Sequence, residues 1–320
     1  MKRKVIKQGN NTLTITLPRE WTNRLDLQPG DEVELDDLGF QLSVSSDKKE
    51  DLLRIEMDIT DLDFSSILHE IRSAYRMGYD DILLTYSTAE SISFQDSKKH
   101  KIRNIIQNEV KQLVGVEVIN QKEDFSHIKD ISATSEKEFD NILRRIFLIL
   151  VDIGDDLVKG AKDFNKDLLD HIYEKHVTIT KFISFCLRLL NKKGYPDFRK
   201  TRVLYHIIAS MDKVTDYYKF CAKDLIDYGK KINPKTLGLL KSINHAIYLF
   251  YEIFYKYDKE KVVEISRIKW SMRNQIKKLK GIPTDELMIL THVENCLEIL
   301  LDLMEAVMVL RYHEKIFKHV

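Results

Sequence analysis

Three hydrophobic periodicities follow one another along the chain. In residues 1–46 they are those of short strands and turns. Thr12 to Leu17 (TLTITL) alternates strictly, with Leu13, Ile15 and Leu17 on one face, as in a half-buried strand. Pro18 suits the start of a short helix running to about Leu25. Pro29-Gly30 turns the chain, Val33 and Leu35 alternate as a further strand, and Phe40 to Val44 (FQLSV) forms the last. So few apolar positions make little core in one copy, and pairing with a second copy is expected.

In residues 52–132 the period switches back and forth. Leu53, Ile55, Met57 and Ile59 alternate as a strand, and a helix from about Phe64 to Met77 is closed by Gly78 at C′. DILLTY reads as a strand, residues from about Lys98 to Val114 as a second helix closed by Gly115, and VEVIN and FSHIKDI as short extended pieces. Alternating strands and helices predict a small α/β segment with a split βαβ character. It contains no glycine-rich phosphate loop and no Cys/His cluster.

Residues 136–318 carry the helical period throughout. Ser135-x-x-Glu138 is a capping box, after which Phe139, Leu143, Ile146, Leu150, Ile153 and Leu157 recur at spacings of four and three. Breaks near Phe164-Asn165 and at 192–197, 232–236, 256–261 and 280–285 divide the region into six helices. Gly194-Tyr195-Pro196 and Gly281-Ile282-Pro283 are the same Gly-x-Pro turn before the last helix of a three-helix set. Two tandem three-helix bundles, 136–231 and 234–318, therefore follow.

Composition changes this picture little. A hydrophobic share of 43% with 32% charged residues fits a globular chain, and 11 glycines and 5 prolines leave little room for long linkers. The longest apolar run, Ile146–Val151, is far too short to span a bilayer, and the N-terminus lacks the apolar core of a signal peptide. Cys186, Cys221 and Cys296 are far apart in apolar runs, as expected of buried free thiols in a reducing cytoplasm. No Ser/His/Asp or Cys/His arrangement is visible, so an enzyme is not expected.

Charge distribution says more than the total of +1. In residues 1–30, Lys2, Arg3, Lys4, Lys7, Arg19 and Arg24 oppose only Glu20 and Asp26, a local +4 that a two-fold dimer would double and that suits DNA phosphates. The order of elements in KVIKQGNNTLTITLPREWTNRLDLQPGDEVEL resembles the AbrB/MazE/SpoVT swapped-hairpin family: a basic first strand (Lys4 to Lys7), a turn at Gly9, a strand ending in Leu17-Pro18, a short helix (Trp21 to Leu25), then Gly30-Asp31 and Val33. The resemblance covers about residues 1–46. It implies an interleaved homodimer that binds DNA through those six basic residues; the family also holds modules that mainly dimerise or bind toxins.

The last helix presents an acidic stripe, Glu294, Glu298, Asp302 and Glu305, with nothing basic four residues from Glu298 or Asp302. Asp212 and Asp216 are likewise one turn apart. Such carboxylates are solvated, paired with cations of another helix, or turned to a metal ion. His171, His176 and His292 are further candidate ligands, though none belongs to a His-x-x-x-His pair. The aromatic run 248–257 (YLFYEIFYKY) has the spacing of core or of a partner groove.

Residues 136–315 are similar to the PhoU family of two three-helix repeats, whose third helices carry a Glu/Asp-x-x-x-Asp motif able to bind metal ions. Asp212/Asp216 and Glu298/Asp302 match it, with Lys213 and Ile299 where the family has arginine; on the second helices, Thr178 stands where an acid is expected after Glu174, and EISRIKW offers Glu264. The resemblance implies divalent or iron-type metal ions at those four residues.

The whole order of an AbrB-like module, an α/β segment containing AYRMGYDDI (74–82) and PhoU-like bundles resembles archaeal-type phosphate uptake regulators. The expectation is a multidomain, homodimeric, cytoplasmic transcriptional regulator without membrane insertion, its partners DNA and a phosphate ABC transporter or its sensor. The alternative is a dimeric adaptor that docks on that membrane complex and leaves DNA alone.

Overall fold

The computed structural model describes residues 1–9, 12–37, 42–46, 52–132 and 138–316, with backbone alone for Asp36 and 313–316. Ser135 of the expected capping box and Phe40 of the expected last strand lie outside these residues. The chain divides into two compact units, Met1–Leu53 and Arg54–Val320.

The first unit is two hairpins and a helical turn. β1 (Ile6–Gln8) pairs antiparallel with β2 (Thr12–Thr14), placing Lys7 opposite Leu13, and β3 (Glu34–Asp37) pairs with β4 (Leu42–Ser45). Between them lies α1 (Arg19–Arg24), capped at Pro18 and burying none of its residues. The alternation expected over Thr12 to Leu17 is paired only as far as Thr14, because β1 offers three residues. Leu13 is 70% exposed, and Val5, Ile6, Ile15, Leu35 and Leu42 are each at least half exposed. One copy thus leaves its apolar strand positions in water.

The second unit opens on a four-stranded sheet of order β5-β6-β10-β9, built from β5 (Arg54–Asp58), β6 (Asp81–Thr85), β9 (Val116–Gln121) and β10 (Phe125–Asp130). β5 and β6 run parallel through α2 (Phe64–Met77), while β10 is antiparallel to both neighbours, which is a βαβ unit extended by a hairpin. Asp63 caps α2 through the amide of Ser65, and Gly78 ends it at φ 107°, a left-handed cap that glycine adopts without strain. Ile67, Ile71 and Tyr75 of α2 pack with Ile82, Leu84 and Ile128 of the sheet.

The helix expected from Lys98 is shorter and later. Glu90–Ser93 (β7) and Lys98–Lys101 (β8) form a hairpin, and α3 spans Ile102–Val110. Here small polar residues point inward and the apolar one outward. Ser91 and Ser93 are buried, the Ser91 hydroxyl donates to the Leu62 carbonyl at 2.6 Å, and Ile92 is half-exposed. Burial therefore runs opposite to hydrophobicity, and the strand signal is lost.

Six helices follow at the expected breaks: α4 (Phe139–Asp163), α5 (Lys166–Lys192), α6 (Phe198–Tyr228), α7 (Pro234–Tyr255), α8 (Lys259–Lys278) and α9 (Thr284–Ile316). The two three-helix sets pack like on like, α4 on α7 and α6 on α9. Gly154 permits the first crossing, since a Cβ there would overlap the Asn244 side chain. The aromatic run of 248–257 meets the core on one side, where Phe147 of α4 lies within 6 Å, ring to ring, of Phe250, Tyr251, Phe254 and Tyr255, while Tyr248 is exposed. All three cysteines are buried free thiols, and burial raises that of Cys186 to about 12.

Glu286, 2% exposed in the first turn of α9, ties the sets together. Its carboxylate accepts from the Asn233 amide at 3.0 Å, the Thr236 hydroxyl at 2.5 Å and the Tyr228 hydroxyl at 3.2 Å. Glu286→Ala strands these donors at the start of α7, and the expected loss is about 2–3 kcal/mol, read from a urea midpoint.

Candidate functional site

The six basic residues expected to meet DNA are all exposed, and none is ion-paired with a described residue. Lys2, Arg3 and Lys4 precede β1, Lys7 sits within it, and Arg19 and Arg24 open and close α1. Asp26, at φ 46°, accepts from the Gln28 side-chain amide at 2.9 Å. The unit therefore offers unneutralised cations on short, turn-held elements. That is the arrangement for a diffuse anionic surface, and no enclosed pocket is needed for it.

The acidic motifs are arranged otherwise. On α6, Asp212 accepts from Arg76 Nη2 of α2 at 2.8 Å and from Thr180 Oγ1 of α5 at 3.3 Å, and Arg76 also donates to Ser184 Oγ at 3.0 Å. Asp216 meets His176 Nε2 of α5 and Lys219 Nζ of its own helix, at 2.9 and 2.8 Å, with Lys213 at 3.7 Å. Burial by itself would raise the Asp216 carboxyl. The hydrogen bonds and charges of His176 and Lys219 outweigh it and hold the group well below the usual carboxylate range. A depressed carboxylate contributes stability that is complete above its unfolded value of about 4 and lost as pH falls below it. Asp216→Asn is thus expected to cost about 1–2 kcal/mol at pH 7 and to flatten the stability curve below pH ~4, as read by melting at stepped pH.

In the second repeat the cations come from α8. Lys269 Nζ lies 3.3 Å and Arg273 Nη2 3.1 Å from the two oxygens of Glu298, and Arg273 Nε is 3.6 Å from Glu294. Asp302 is exposed. On the second helices, Glu174 pairs with His171 at 2.9 Å and Glu264 with His245 at 2.8 Å, while His292 meets Asp224 at 3.1 Å. Among the described residues no group of three or more His, Cys, Asp or Glu side chains converges to hold a metal ion. As arranged, Asp212, Asp216 and Glu298 do not fit one, because Arg76, Lys219 and Lys269 already occupy their carboxylates.

The strongest polar constellation is one the sequence reading did not single out. Arg188 of α5, 4% exposed, donates from Nη1 to the Tyr75 and Tyr79 carbonyls, each at 2.8 Å, and from Nη2 to Asp130 at 2.7 Å and Asp80 at 3.2 Å. Its guanidinium lies 4.9 Å from the Tyr75 ring centre, and Lys192 adds a bond to Asp80. AYRMGYDDI thereby supplies Tyr75, Arg76, Tyr79 and Asp80 to the junction of the α/β part with the bundle. The signal was available: Arg188 is the one charge in FISFCLRLL.

Residues 6–39 match the family model of the MazE bacterial antitoxin, described as antidote-toxin recognition. The N-terminal unit thus holds a MazE/AbrB-type domain, followed by a mostly helical body. No curated protein and no solved structure matches the chain. No helix among the described residues is long and apolar enough to cross a membrane.

Proposed function

We propose that the chain is a homodimeric DNA-binding regulator of phosphate uptake, with a PhoU-like helical body as its sensing part. The observation that carries the DNA-binding half is the set of six exposed cations, without an ion pair among the described residues, within and beside a matched MazE-type span. Dimerisation follows from the exposed Ile6, Leu13, Ile15 and Leu35, which a swapped-hairpin partner would cover. The phosphate reading rests on the two three-helix repeats and their third-helix acids. A protein partner, the cytoplasmic side of a phosphate transporter or its sensor, can engage the bundle while Arg76 and Lys269 keep their carboxylates; a metal signal would have to displace them. Engagement of the bundles would then alter the spacing of the two DNA-binding halves. The test is salt-dependent binding of the full chain to promoter regions of phosphate-transport genes.

One observation favours a second reading. The matched family model is named for recognition of a toxin, a protein contact. In that reading the module only dimerises and the bundles dock on a membrane complex. Absence of DNA binding at low salt is its signature.

A further inference from the structure

Another surface carries one-sided charge. Residues 259–280 hold eight Lys/Arg against two carboxylates, a local +6 in a chain of net +1. α8 sorts these residues by face. Ile265 and Met272 are buried beneath it, and Lys261, Lys269 and Arg273 pair with Glu252, Glu298 and Glu294. The outward side keeps Lys259, Arg267, Lys277, Lys278 and Lys280, all exposed and without an ion pair among the described residues, with Trp270 59% exposed between them. In the first repeat the equivalent helix, α5, is covered by α2. Glu252 of α7 and the acidic stripe of α9 thus neutralise the inward cations of α8, while the outward ones have no ion pair among the described residues and can meet another polyanion.

Chemistry selects among polyanions. A helix lying in a lipid interface needs a continuous apolar face, and that of α8 is already spent on the bundle; outward, only Val263 and Trp270 are exposed large apolar groups. Between the cations lie exposed Ser266, Ser271, Asn274 and Gln275, side chains of the kind that hydrogen-bond phosphate and sugar oxygens. A helix of 20 residues is about 30 Å long, close to one turn of duplex DNA. No ion pair has to break for the free cations to meet phosphates.

We propose that the outward face of α8 is a second nucleic-acid contact, gripping the backbone of duplex DNA without reading its sequence. The contact does not depend on the N-terminal module binding DNA.

The test uses the full chain and a duplex of about 30 base pairs of arbitrary sequence. R267Q/K277Q/K278Q substitutes exposed side chains only. It is expected to weaken binding about 10-fold or more at low salt and to reduce the slope of log K against log salt by about 2–3 for each protomer whose α8 meets the duplex, since each lost phosphate contact removes about 0.9. Combining K4Q/K7Q/R19Q with W21F removes three of the six N-terminal cations and leaves Trp270 as the one indole of the two in the chain. Its emission should still be quenched by the duplex. An unchanged slope for R267Q/K277Q/K278Q overturns the proposal, as does a Trp270 signal indifferent to DNA. An equal loss from K159Q/K162Q/K166Q, exposed cations of α4 and α5, would reduce the effect to bulk charge and also overturn it. So would a Trp270 response to phosphatidylserine vesicles and not to DNA, which would make α8 a lipid contact.

Discussion

Arg188→Ala is expected to lower the unfolding free energy of the Arg54–Val320 unit by about 3–5 kcal/mol, the cost of removing one partner from a buried ion pair. The size follows from what is left behind. Two backbone carbonyls, of Tyr75 and Tyr79, lose their guanidinium donor, and the Tyr75 ring loses the cation above it. Asp80 keeps Lys192, but Asp130 does not share that partner. Burial pushes the Asp130 carboxyl up, and hydrogen bonds from Ser132 and from Arg188 together hold it down. Without Arg188 the balance moves toward protonation, so the loss relative to the natural chain should shrink as the pH falls toward the carboxylate range. Arg188→Lys is no remedy, because one ammonium cannot serve both carbonyls and both carboxylates. Urea unfolding followed by far-UV circular dichroism measures the loss, and a shift below about 1 kcal/mol would show that the junction is not held by this residue.

The same residue shows where sequence reasoning stopped. The helical body was legible because its signals are local. Spacings of four and three mark α4, and the breaks at Phe164-Asn165 and before Pro196 and Pro283 need only neighbouring residues to be understood. Gly78 closes α2 for a reason contained in its own φ. Lys219, three residues from Asp216, was a local partner, but the other surroundings of the acidic motifs were not legible, because their partners are remote. Arg76 reaches Asp212 across 136 positions, and Arg188 reaches Tyr75 across 113. Charge pairing has no period, so nothing in residues 211–217 announces that Arg76 faces Asp212 or that His176 faces Asp216. The pattern admitted solvation, interhelical pairing and metal, and pairing is the geometry found for Asp212, Asp216 and Glu298. The β7–β8 hairpin was missed for another reason: Ser91 is buried by a hydrogen bond while Ile92 is not, and hydropathy records only the apolar side of burial.

Substituting Lys4, Lys7 and Arg19 together by Gln is expected to have the largest functional effect. Counterion release sets its scale, because each phosphate neutralised contributes about 0.9 to the slope of log K against log salt. Three cations per protomer are six in a dimer, so if all six meet phosphates the slope should fall by about 5, and affinity near 100 mM salt by about 100-fold or more. The three residues stand on the approach to β1, within β1 and at the start of α1, so no single local distortion accounts for a joint effect. All are exposed and none is ion-paired with a described residue. Dimerisation should persist, since it is assigned to Ile6, Leu13, Ile15 and Leu35; sedimentation of the same variant checks this. The loss should be equal on promoter and arbitrary duplexes, because phosphate contacts position the protein and do not read bases. A promoter-selective loss would instead assign one of the three to a base edge. If the natural chain fails to bind at 50 mM salt while sedimenting as a dimer, the cations have no DNA to meet, and the adaptor reading takes the place of the regulator.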